Sequence, residues 1–122
     1  MPKPTDITYH STSRMLDLTF DDGYSCSLSA EYLRVFSPSA EVQGHGPGQG
    51  VLQYGKQDVM IKGIEPVGNY ALLFRFDDNH ETGIFSWEYL HRLGENADAN
   101  WEDYLQRLAA DGKKRDMNEG SV

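Results

Sequence analysis

The chain has 122 residues, of which 39% are hydrophobic and 25% are charged. These values are typical of one globular domain that folds without disulfide bonds. Eleven Lys and Arg residues against 19 Asp and Glu residues give a formal net charge of −8, which disfavours binding to nucleic acids and to anionic lipid surfaces.

Strand and turn patterns occupy the first part of the chain. Two prolines within residues 1–6 predict a flexible N-terminus, and residues 7–9 fit a short edge strand. Apolar and polar residues alternate over residues 15–20, which is the period of a half-buried strand. Asp22-Gly23 predicts a hairpin turn, because glycine adopts positive φ without steric cost.

A short helix and a glycine-rich loop follow the first hairpin. Ser29 is placed to cap a helix that runs from Ala30 to about Phe36. Pro38 ends this helix, because the residue before a proline is disfavoured in the α region. Residues 44–50 contain four glycines and a proline, so regular structure there would carry a large entropic cost and we expect a loop.

The second half of the chain repeats this order of elements. A strand is predicted around residues 59–64, ending at Pro66, and residues 70–76 form a strand that is apolar on both faces. A turn at residues 78–80 leads to a returning strand and to Ser86, which caps a helix that Gly94 ends. A last helix fits residues 101–108.

The two halves share a sequence pattern as well as an order of elements. Phe20-Asp21-Asp22-Gly23, then Ser29-Ala30-Glu31-Tyr32-Leu33, is echoed by Phe76-Asp77-Asp78-Asn79, then Ser86-Trp87-Glu88-Tyr89-Leu90. We therefore predict an α+β fold, a single domain over residues 7–110 with a largely antiparallel sheet, helices packed on one side and two similar β-hairpin–helix halves. Residues 111–122 are predicted to form a disordered tail.

The glycine-rich segment is the candidate binding loop, because functional loops are carried on rigid scaffolds. Its candidate residues for a partner or a small anion are Arg34, Ser37, Ser39, Glu41, His45 and Gln49. Arg34 and Arg75 also admit a structural interpretation, which we favour, in which each pairs with a carboxylate such as Asp17 or Glu41.

Histidines and acids near the second turn form a candidate metal site. Imidazole and carboxylate groups together suit iron, manganese or zinc, and the candidate ligands are His80, His45, Asp78 and Glu81. The alternative, which we favour, is that Asp77-Asp78-Asn79 makes a turn whose side chains bond local amides. The matching turn at Asp21-Asp22-Gly23 has no histidine beside it, so we predict no metal and no cofactor.

Enzymatic chemistry has little support in the sequence. Cys26, the only cysteine, lies on a predicted strand, where a lone cysteine is typically a small buried hydrophobe. Ser37 and Ser39 have no assigned base and no Gly-x-Ser-x-Gly elbow. We therefore expect a protein without catalytic residues. The absence of a long apolar run and of a signal peptide, with one cysteine, favours the cytoplasm and no membrane partner.

Three segments carry a resemblance to a known family: Ser37-Pro38-Ser39-Ala40-Glu41-Val42 with Gly44-His45-Gly46, then Pro66-Val67-Gly68-Asn69-Tyr70, then Phe76 through Trp87. Over roughly residues 7–108 the chain resembles the gamma-butyrobetaine hydroxylase-like N-terminal domain family. The resemblance implies small stand-alone bacterial proteins of unknown function. It also implies relatives fused to 2-oxoglutarate-dependent dioxygenases or to P-loop ATPases that carry iron–sulfur clusters.

The resemblance also implies a departure from the family's zinc site. In the dioxygenases this domain resembles a zinc-stabilised module with a Cys-Pro-Cys-x-x-Cys run and a later histidine as ligands. The matching positions here are Ser37, Ser39, Val42 and His80. Only one of the four offers a good zinc donor, so we predict no structural zinc and expect His80→Ala to leave folding nearly unchanged.

Taken together, the residues and the resemblance predict a non-catalytic binding or adaptor module. Its expected partners are other proteins, among them iron–sulfur or P-loop ATPase proteins. The alternative is an iron-binding protein related to the accessory domain of 2-oxoglutarate-dependent dioxygenases. The sequence leaves the oligomeric state open.

Overall fold

The computed structural model describes residues 2–38, 52–78, 80 and 83–115. Within these ranges the α+β class and the two hairpin–helix halves are confirmed. The elements follow in the order β1 (Pro4–His10), β2 (Met15–Phe20), β3 (Ser25–Ser29), α1 (Ala30–Val35), β4 (Ile61–Val67), β5 (Ala71–Phe76), β6 (Gly83–Ser86), α2 (Trp87–Glu95) and α3 (Ala97–Ala110).

The described strands form two antiparallel sheets of three, ordered β1-β2-β3 and β4-β5-β6, rather than one continuous sheet. Each sheet ends in a strand that leads directly into a helix. The Ser29 hydroxyl accepts a hydrogen bond from the Tyr32 amide at 2.9 Å, and the Ser86 hydroxyl accepts one from the Tyr89 amide at 3.1 Å. Both predicted N-caps are therefore present, one in each half.

The first hairpin closes at the predicted turn. Gly23 has a φ of 88°, which an L side chain rarely adopts, and the Asp22 carboxylate accepts a hydrogen bond from the Tyr24 amide at 3.0 Å. Two backbone hydrogen bonds also close the turn, from the Gly23 amide to the Phe20 carbonyl at 3.0 Å and from the Phe20 amide to the Tyr24 carbonyl at 2.8 Å.

Two strands are longer than the sequence pattern predicts. β1 begins at Pro4, so residues 4–6 of the predicted flexible N-terminus pair with β2, where the Lys3 carbonyl accepts a hydrogen bond from the Asp21 amide at 2.8 Å. β4 runs past Pro66 to Val67 instead of ending at the proline. Pro66 is exposed on the outer strand of its sheet, the position at which a missing amide donor costs least.

Two helices are also longer than predicted. α2 continues past Gly94 to Glu95, so this glycine does not end the helix. Gly94 serves close packing instead. A Cβ atom added to Gly94 would lie 2.8 Å from the Cys26 sulfur and 3.0 Å from the Tyr24 hydroxyl. α3 begins at Ala97, four residues before the predicted start, and ends at Ala110.

The main core lies between the two sheets and the helices. Leu16, Leu18 and Phe20 of β2 and Phe74 and Phe76 of β5 are buried in one cluster. The alternation of buried residues along both strands produces this arrangement, since successive side chains point to opposite faces. A second, smaller cluster joins α1 to α3 and contains Val35, Tyr104 and Leu108.

The residues after α3 continue against the rest of the domain. The Lys114 carbonyl accepts a hydrogen bond from the Gly55 amide at 3.0 Å, and the Arg115 carbonyl accepts one from the Gln57 amide at 2.9 Å. Residues 113–115, which the sequence assigned to the tail, thus contact the segment that precedes β4; the rest of the tail, 116–122, lies outside the described residues. Within the described ranges, no helix combines the length and apolar character needed to cross a membrane.

Candidate functional site

Buried polar side chains gather where the end of α1 meets the turn between β5 and β6. In the described part of the chain the buried polar and charged residues are Glu31, Arg34, Ser37 and His80. Three of them lie on α1 or directly after it, and His80 lies in the turn after β5. Because buried polar groups are costly unless they are paired, their contacts define the chemistry of this region.

An ion-paired cluster links three segments through one carboxylate. Asp78 Oδ2 accepts a hydrogen bond from Arg34 Nε at 2.8 Å and another from Lys56 Nζ at 2.6 Å. Burial raises the pKa of Asp78, but the hydrogen bond from Lys56 and the charge of Arg34 outweigh it, so the pKa of this carboxyl is lowered. Arg34 Nη1 is buried without a hydrogen-bond partner among the described residues, so the compensation of its charge depends on Asp78.

The acidic turn after β5 bonds to nearby amides. Asp78 Oδ1 accepts a hydrogen bond from the His80 amide at 3.3 Å, and Asp77 Oδ1 accepts one from the Met60 amide at 3.1 Å. The contact of Asp78 with the His80 amide is the local kind that the turn interpretation predicts, whereas the contact of Asp77 spans 17 positions of sequence. They fix the turn against the residues that precede β4.

A serine and a histidine form a second buried contact. Ser37 Oγ lies 2.9 Å from His80 Nε2, and the Ser37 side chain is fully buried. The His80 ring packs on Phe76 with ring centroids 6.0 Å apart, and the His80 carbonyl accepts a hydrogen bond from the Phe76 amide at 3.0 Å. The contact joins the segment after α1 to the second hairpin, across 43 residues of sequence.

The serine–histidine contact corrects the statement that no base can be assigned to Ser37. A histidine does lie within hydrogen-bond reach, as a nucleophile would require. However, the Ser37 hydroxyl is fully buried, and a Cβ atom on Gly83 would lie only 2.5 Å from it. A substrate carbonyl has no approach to this oxygen, so the contact is structural.

The same contact tests whether the zinc site of the family fits this chain. Ser37 and His80 occupy two of the four matching positions and lie next to each other; Ser39 and Val42 lie outside the described residues. Zinc is held by thiolates, imidazoles or carboxylates, and here His80 Nε2 faces a hydroxyl. The donors at these positions therefore do not fit a tetrahedral zinc ion.

The alternative metal ligands are only partly described. His45 and Glu81 lie outside the described residues, whereas Asp78 is engaged by two cations and His80 contacts Ser37. In the part of the chain that the structure describes, no group of three or more His, Cys, Asp and Glu residues is arranged to hold a metal ion.

The candidate binding loop is also described only at its start. Arg34 and Ser37 are buried, while Ser39, Glu41, His45 and Gln49 lie outside the described residues. The expected pairing of each arginine with a carboxylate is present, but the partners differ from those proposed from the sequence. Arg34 pairs with Asp78, and Arg75 pairs with Glu65 on the neighbouring strand.

A cleft opens beside the ion-paired cluster. It has a volume of about 300 Å³ and is lined by Gly55, Lys56, Asp58, Val59, Asp77 and Asp78. Lys56 is not among the residues predicted from the sequence. No local pattern marks it as a partner of Asp78, which lies 22 positions away.

A second carboxylate, Glu31, is buried near the same region and is bound by a distant arginine. Arg115 Nε and Nη2 donate to the two oxygens of Glu31 at 2.9 and 2.7 Å. These hydrogen bonds raise the pKa of Arg115, and the guanidinium also lies over the Trp101 ring, 5.2 Å from its centroid. Arg115 lies in the segment that is predicted to be a tail. No local pattern in the sequence indicates its contact with Glu31, which lies 84 positions away.

Comparisons with known proteins agree with the sequence resemblance. The profile of the family described as Gamma-butyrobetaine hydroxylase-like, N-terminal, matches residues 7–91. Two solution NMR structures are similar to the chain. One is 50% identical, with 100% of this chain and 96% of the other covered and a TM-score of 0.85. The other is 48% identical, with 94% and 86% covered and a TM-score of 0.82.

A crystal structure from Acidithiobacillus ferrooxidans is also similar, at 37% identity and a TM-score of 0.63, with 75% of this chain and 92% of the other covered. It is described as a protein of unknown function in the DUF971 family. No curated protein matches the chain. The matched profile and the identity of these structures together show that the chain belongs to the gamma-butyrobetaine hydroxylase-like N-terminal family.

Proposed function

We propose that this chain is a non-catalytic module that binds other proteins in the cytoplasm, and that its partners handle iron–sulfur clusters or are P-loop ATPases. The observation that carries the proposal is the burial of Ser37. Ser37 has a histidine within hydrogen-bond reach but is fully enclosed, so its contact with His80 holds two segments together and does not face a substrate. The family's fusion partners supply the link to clusters and ATPases.

The ion-paired cluster supports the same proposal. Arg34 and Lys56 both bind Asp78, so this carboxylate is committed to joining α1, the segment before β4 and the turn after β5. A general base would instead need a free carboxylate beside a reacting group. The site therefore has the character of a scaffold.

The surface carries exposed apolar side chains and a negative charge, both of which can contribute to binding a protein partner. Large apolar side chains are exposed at Tyr54, Tyr70 and Ile84. A net charge of −8 favours encounters with basic partners over acidic ones. Exposed aromatic groups are common anchors at protein interfaces.

Affinity isolation from a cell extract tests the proposal. Wild-type protein and Ser37→Ala, each with a tag at the N-terminus, are expected to recover the same partner protein, because Ser37 is structural. Recovery of partners without any cluster-handling protein or P-loop ATPase would remove that part of the proposal. If neither protein enriches a partner above an untagged control, the binding module itself is contradicted.

The geometry favours this function over iron binding. Asp78 is already bound by two cations, and His80 Nε2 contacts Ser37, so a metal held by these atoms would have to displace existing contacts at the two candidate ligands that the structure describes. Elemental analysis of untagged protein purified without chelator is the decisive measurement. About one equivalent of iron per chain would favour the metal-binding alternative.

A further inference from the structure

The segment after α3 occupies a site that is shaped for an arginine. We define the arginine site as the Glu31 carboxylate, the backbone amides of Gly55 and Gln57, and the Trp101 ring. Residues 113–115 of the same chain fill it, with Arg115 on Glu31 and Trp101 and two backbone carbonyls on the amides. Four contacts of three kinds therefore converge on two consecutive residues, Lys114 and Arg115.

The carboxylate of the arginine site requires a cationic partner. Glu31 is only 5% exposed, and an unpaired charge at that burial is strongly unfavourable. The two oxygens accept parallel hydrogen bonds from one guanidinium, the geometry that arginine provides and lysine does not. Any segment that replaces residues 113–115 must therefore bring an arginine.

The backbone contacts involve only the main chain of the bound segment. The Gly55 and Gln57 amides donate to carbonyls of consecutive residues, Lys114 and Arg115. Such main-chain hydrogen bonds depend little on side-chain identity, so another segment that presents two successive carbonyls in this position can form them. Specificity then comes from the arginine alone.

The bound segment is held less firmly than the core. Arg115 is 38% exposed, and Lys114 is also exposed. A cleft of about 360 Å³, lined in part by Leu105, Leu108 and Lys113, lies between the segment and α3. Few apolar contacts therefore oppose release of the segment. Segments with few buried apolar contacts have low local stability and open first.

We propose that the arginine site docks an arginine-bearing segment of a protein partner, and that residues 113–115 occupy it until that segment displaces them. The inference rests on the proposed binding function and adds the chemistry of the partner. The negative charge of the chain supports it, since a basic segment is attracted before it makes contact.

A labelled peptide tests the proposal directly. The probe is a capped peptide with the sequence of residues 110–115, Ala-Asp-Gly-Lys-Lys-Arg, and the control is Ala-Asp-Gly-Lys-Lys-Lys, which has the same length and charge but no guanidinium group. Full-length Arg115→Ala leaves the Glu31 carboxylate without its internal partner, so it is expected to bind the probe at least about tenfold more tightly than wild type, because the internal competitor is weakened. The control peptide is expected to bind at least about tenfold more weakly than the probe.

A second variant assigns the binding to the carboxylate. Arg115→Ala combined with Glu31→Gln removes the charge that the arginine recognises and is expected to lose the tightened binding. Equal affinity of Arg115→Ala for both peptides would overturn the proposal, because it would show only general charge attraction. Equal affinity of wild type and Arg115→Ala for the probe would overturn it as well.

A measurement on the wild-type chain covers the case in which Arg115→Ala does not fold. In NMR titrations with excess probe, the amide signals of Gly55 and Gln57 and the indole signal of Trp101 are expected to shift together. Shifts spread over the acidic surface, or none, would contradict the proposal. If the affinity isolation recovers a partner but the peptide does not bind, only the proposal of the arginine site is contradicted. If the peptide binds but no cellular partner is recovered, the proposed function is contradicted.

Discussion

Ser37 and Gly83 are packed so closely that neither position accepts a larger residue without a shift. A Cβ atom on Gly83 would lie 2.5 Å from Ser37 Oγ and 3.1 Å from a ring carbon of Phe85. Gly83 has no positive φ that would exclude other residues, so its requirement is one of space alone. The absence of a side chain at Gly83 allows the serine to reach His80.

This close packing gives a prediction for Gly83→Ala. The added methyl group overlaps the Ser37 hydroxyl, and we expect a loss of about 1–3 kcal/mol in the free energy of unfolding. Combining it with Ser37→Ala removes the nearest clash, so the double variant is expected to be about 1 kcal/mol more stable than additivity predicts. Urea denaturation of the four proteins in this cycle measures the coupling. Strict additivity would show that the two positions do not interact.

His80 is expected to contribute to stability, in contrast to the expectation from the sequence. It is buried and packed on Phe76, so His80→Ala should lose about 2 kcal/mol through a cavity and a lost hydrogen bond. His10 is the matched control, because its side chain is half exposed and it also has an acidic neighbour. His10→Ala should change stability by less than about 0.5 kcal/mol, and equal losses in thermal or urea melts would contradict this interpretation.

Residue-level features were predictable where their cause is local. The Ser29 and Ser86 caps follow from a serine placed just before a helical pattern, and the structure contains both. The contact of Ser37 with His80 was not predictable from the residues, because it depends on how the two halves pack. The family resemblance paired the two positions as a former ligand set, which is the one signal that brought them together.

At the scale of elements, a histidine joins the first hairpin to α2. His91 Nε2 lies 2.9 Å from Asp22 in the hairpin turn, and Nδ1 lies 2.9 Å from Glu95 on the same helix. Its ring packs against Phe20 and Tyr24, each with centroids 4.8 Å apart. Burial lowers the pKa of His91, but its hydrogen bonds to Asp22 and Glu95 outweigh this, so the pKa is raised.

The raised pKa predicts a pH dependence of stability. A folded-state pKa above the ordinary value of 6.5 means that protonated His91 stabilises the fold fully below pH 6.5, and that this contribution is lost as the pH rises through the folded-state value. Melting temperatures of wild type and His91→Gln at pH 5.5 and 8.5, at constant ionic strength, measure it. The wild type should lose more stability on going to pH 8.5. An identical change in both proteins would exclude His91 as the source.

The elements themselves were largely predictable, and their ends were not. Alternation and caps located each described strand and helix, since these signals are carried by neighbouring residues. Gly94 was misjudged as a helix end, because the need for space beside Tyr24 and Cys26 comes from a strand 68 or more positions earlier in the chain. The division of the strands into two sheets likewise depends on packing between halves.

At the scale of the molecule, Asp78 connects segments that are far apart in sequence. Its carboxylate holds Arg34 of α1 and Lys56 of the segment before β4. The Arg34 side chain is 8% exposed, so its charge has little water to replace a lost partner. By contrast, Arg75 and Glu65 form a cross-strand pair that is 37% and 51% exposed.

The two ion pairs give a matched prediction. Asp78→Ala leaves Arg34 buried without its carboxylate, and we expect a loss of about 3 kcal/mol in the free energy of unfolding. Glu65→Ala removes the carboxylate of an exposed pair and should lose less than about 1 kcal/mol. Urea denaturation at neutral pH compares them. A larger loss for Glu65→Ala would contradict the assignment of Asp78 as a connecting residue.

The candidate site was predictable only in part, because most of its contacts join residues that are far apart in the sequence. The local hydrogen bond expected at the turn is present for Asp78, which accepts from the His80 amide, whereas Asp77 binds the amide of Met60, 17 positions away. The ion partners of Asp78 and the contact between Arg115 and Glu31 join residues 22 to 84 positions apart. Contacts over such separations form only when the whole domain has folded, and no local pattern in the amino-acid sequence reveals them.

The contact between Ser37 and His80 affects how well the domain resists oxidants and chelators. A junction built from thiolates and a metal is dismantled when peroxide oxidises the sulfur atoms or a competing chelator removes the ion. A hydroxyl group and an imidazole are far less susceptible to either reagent. The two halves of this protein are therefore joined at that point by a link that should survive oxidative stress unchanged.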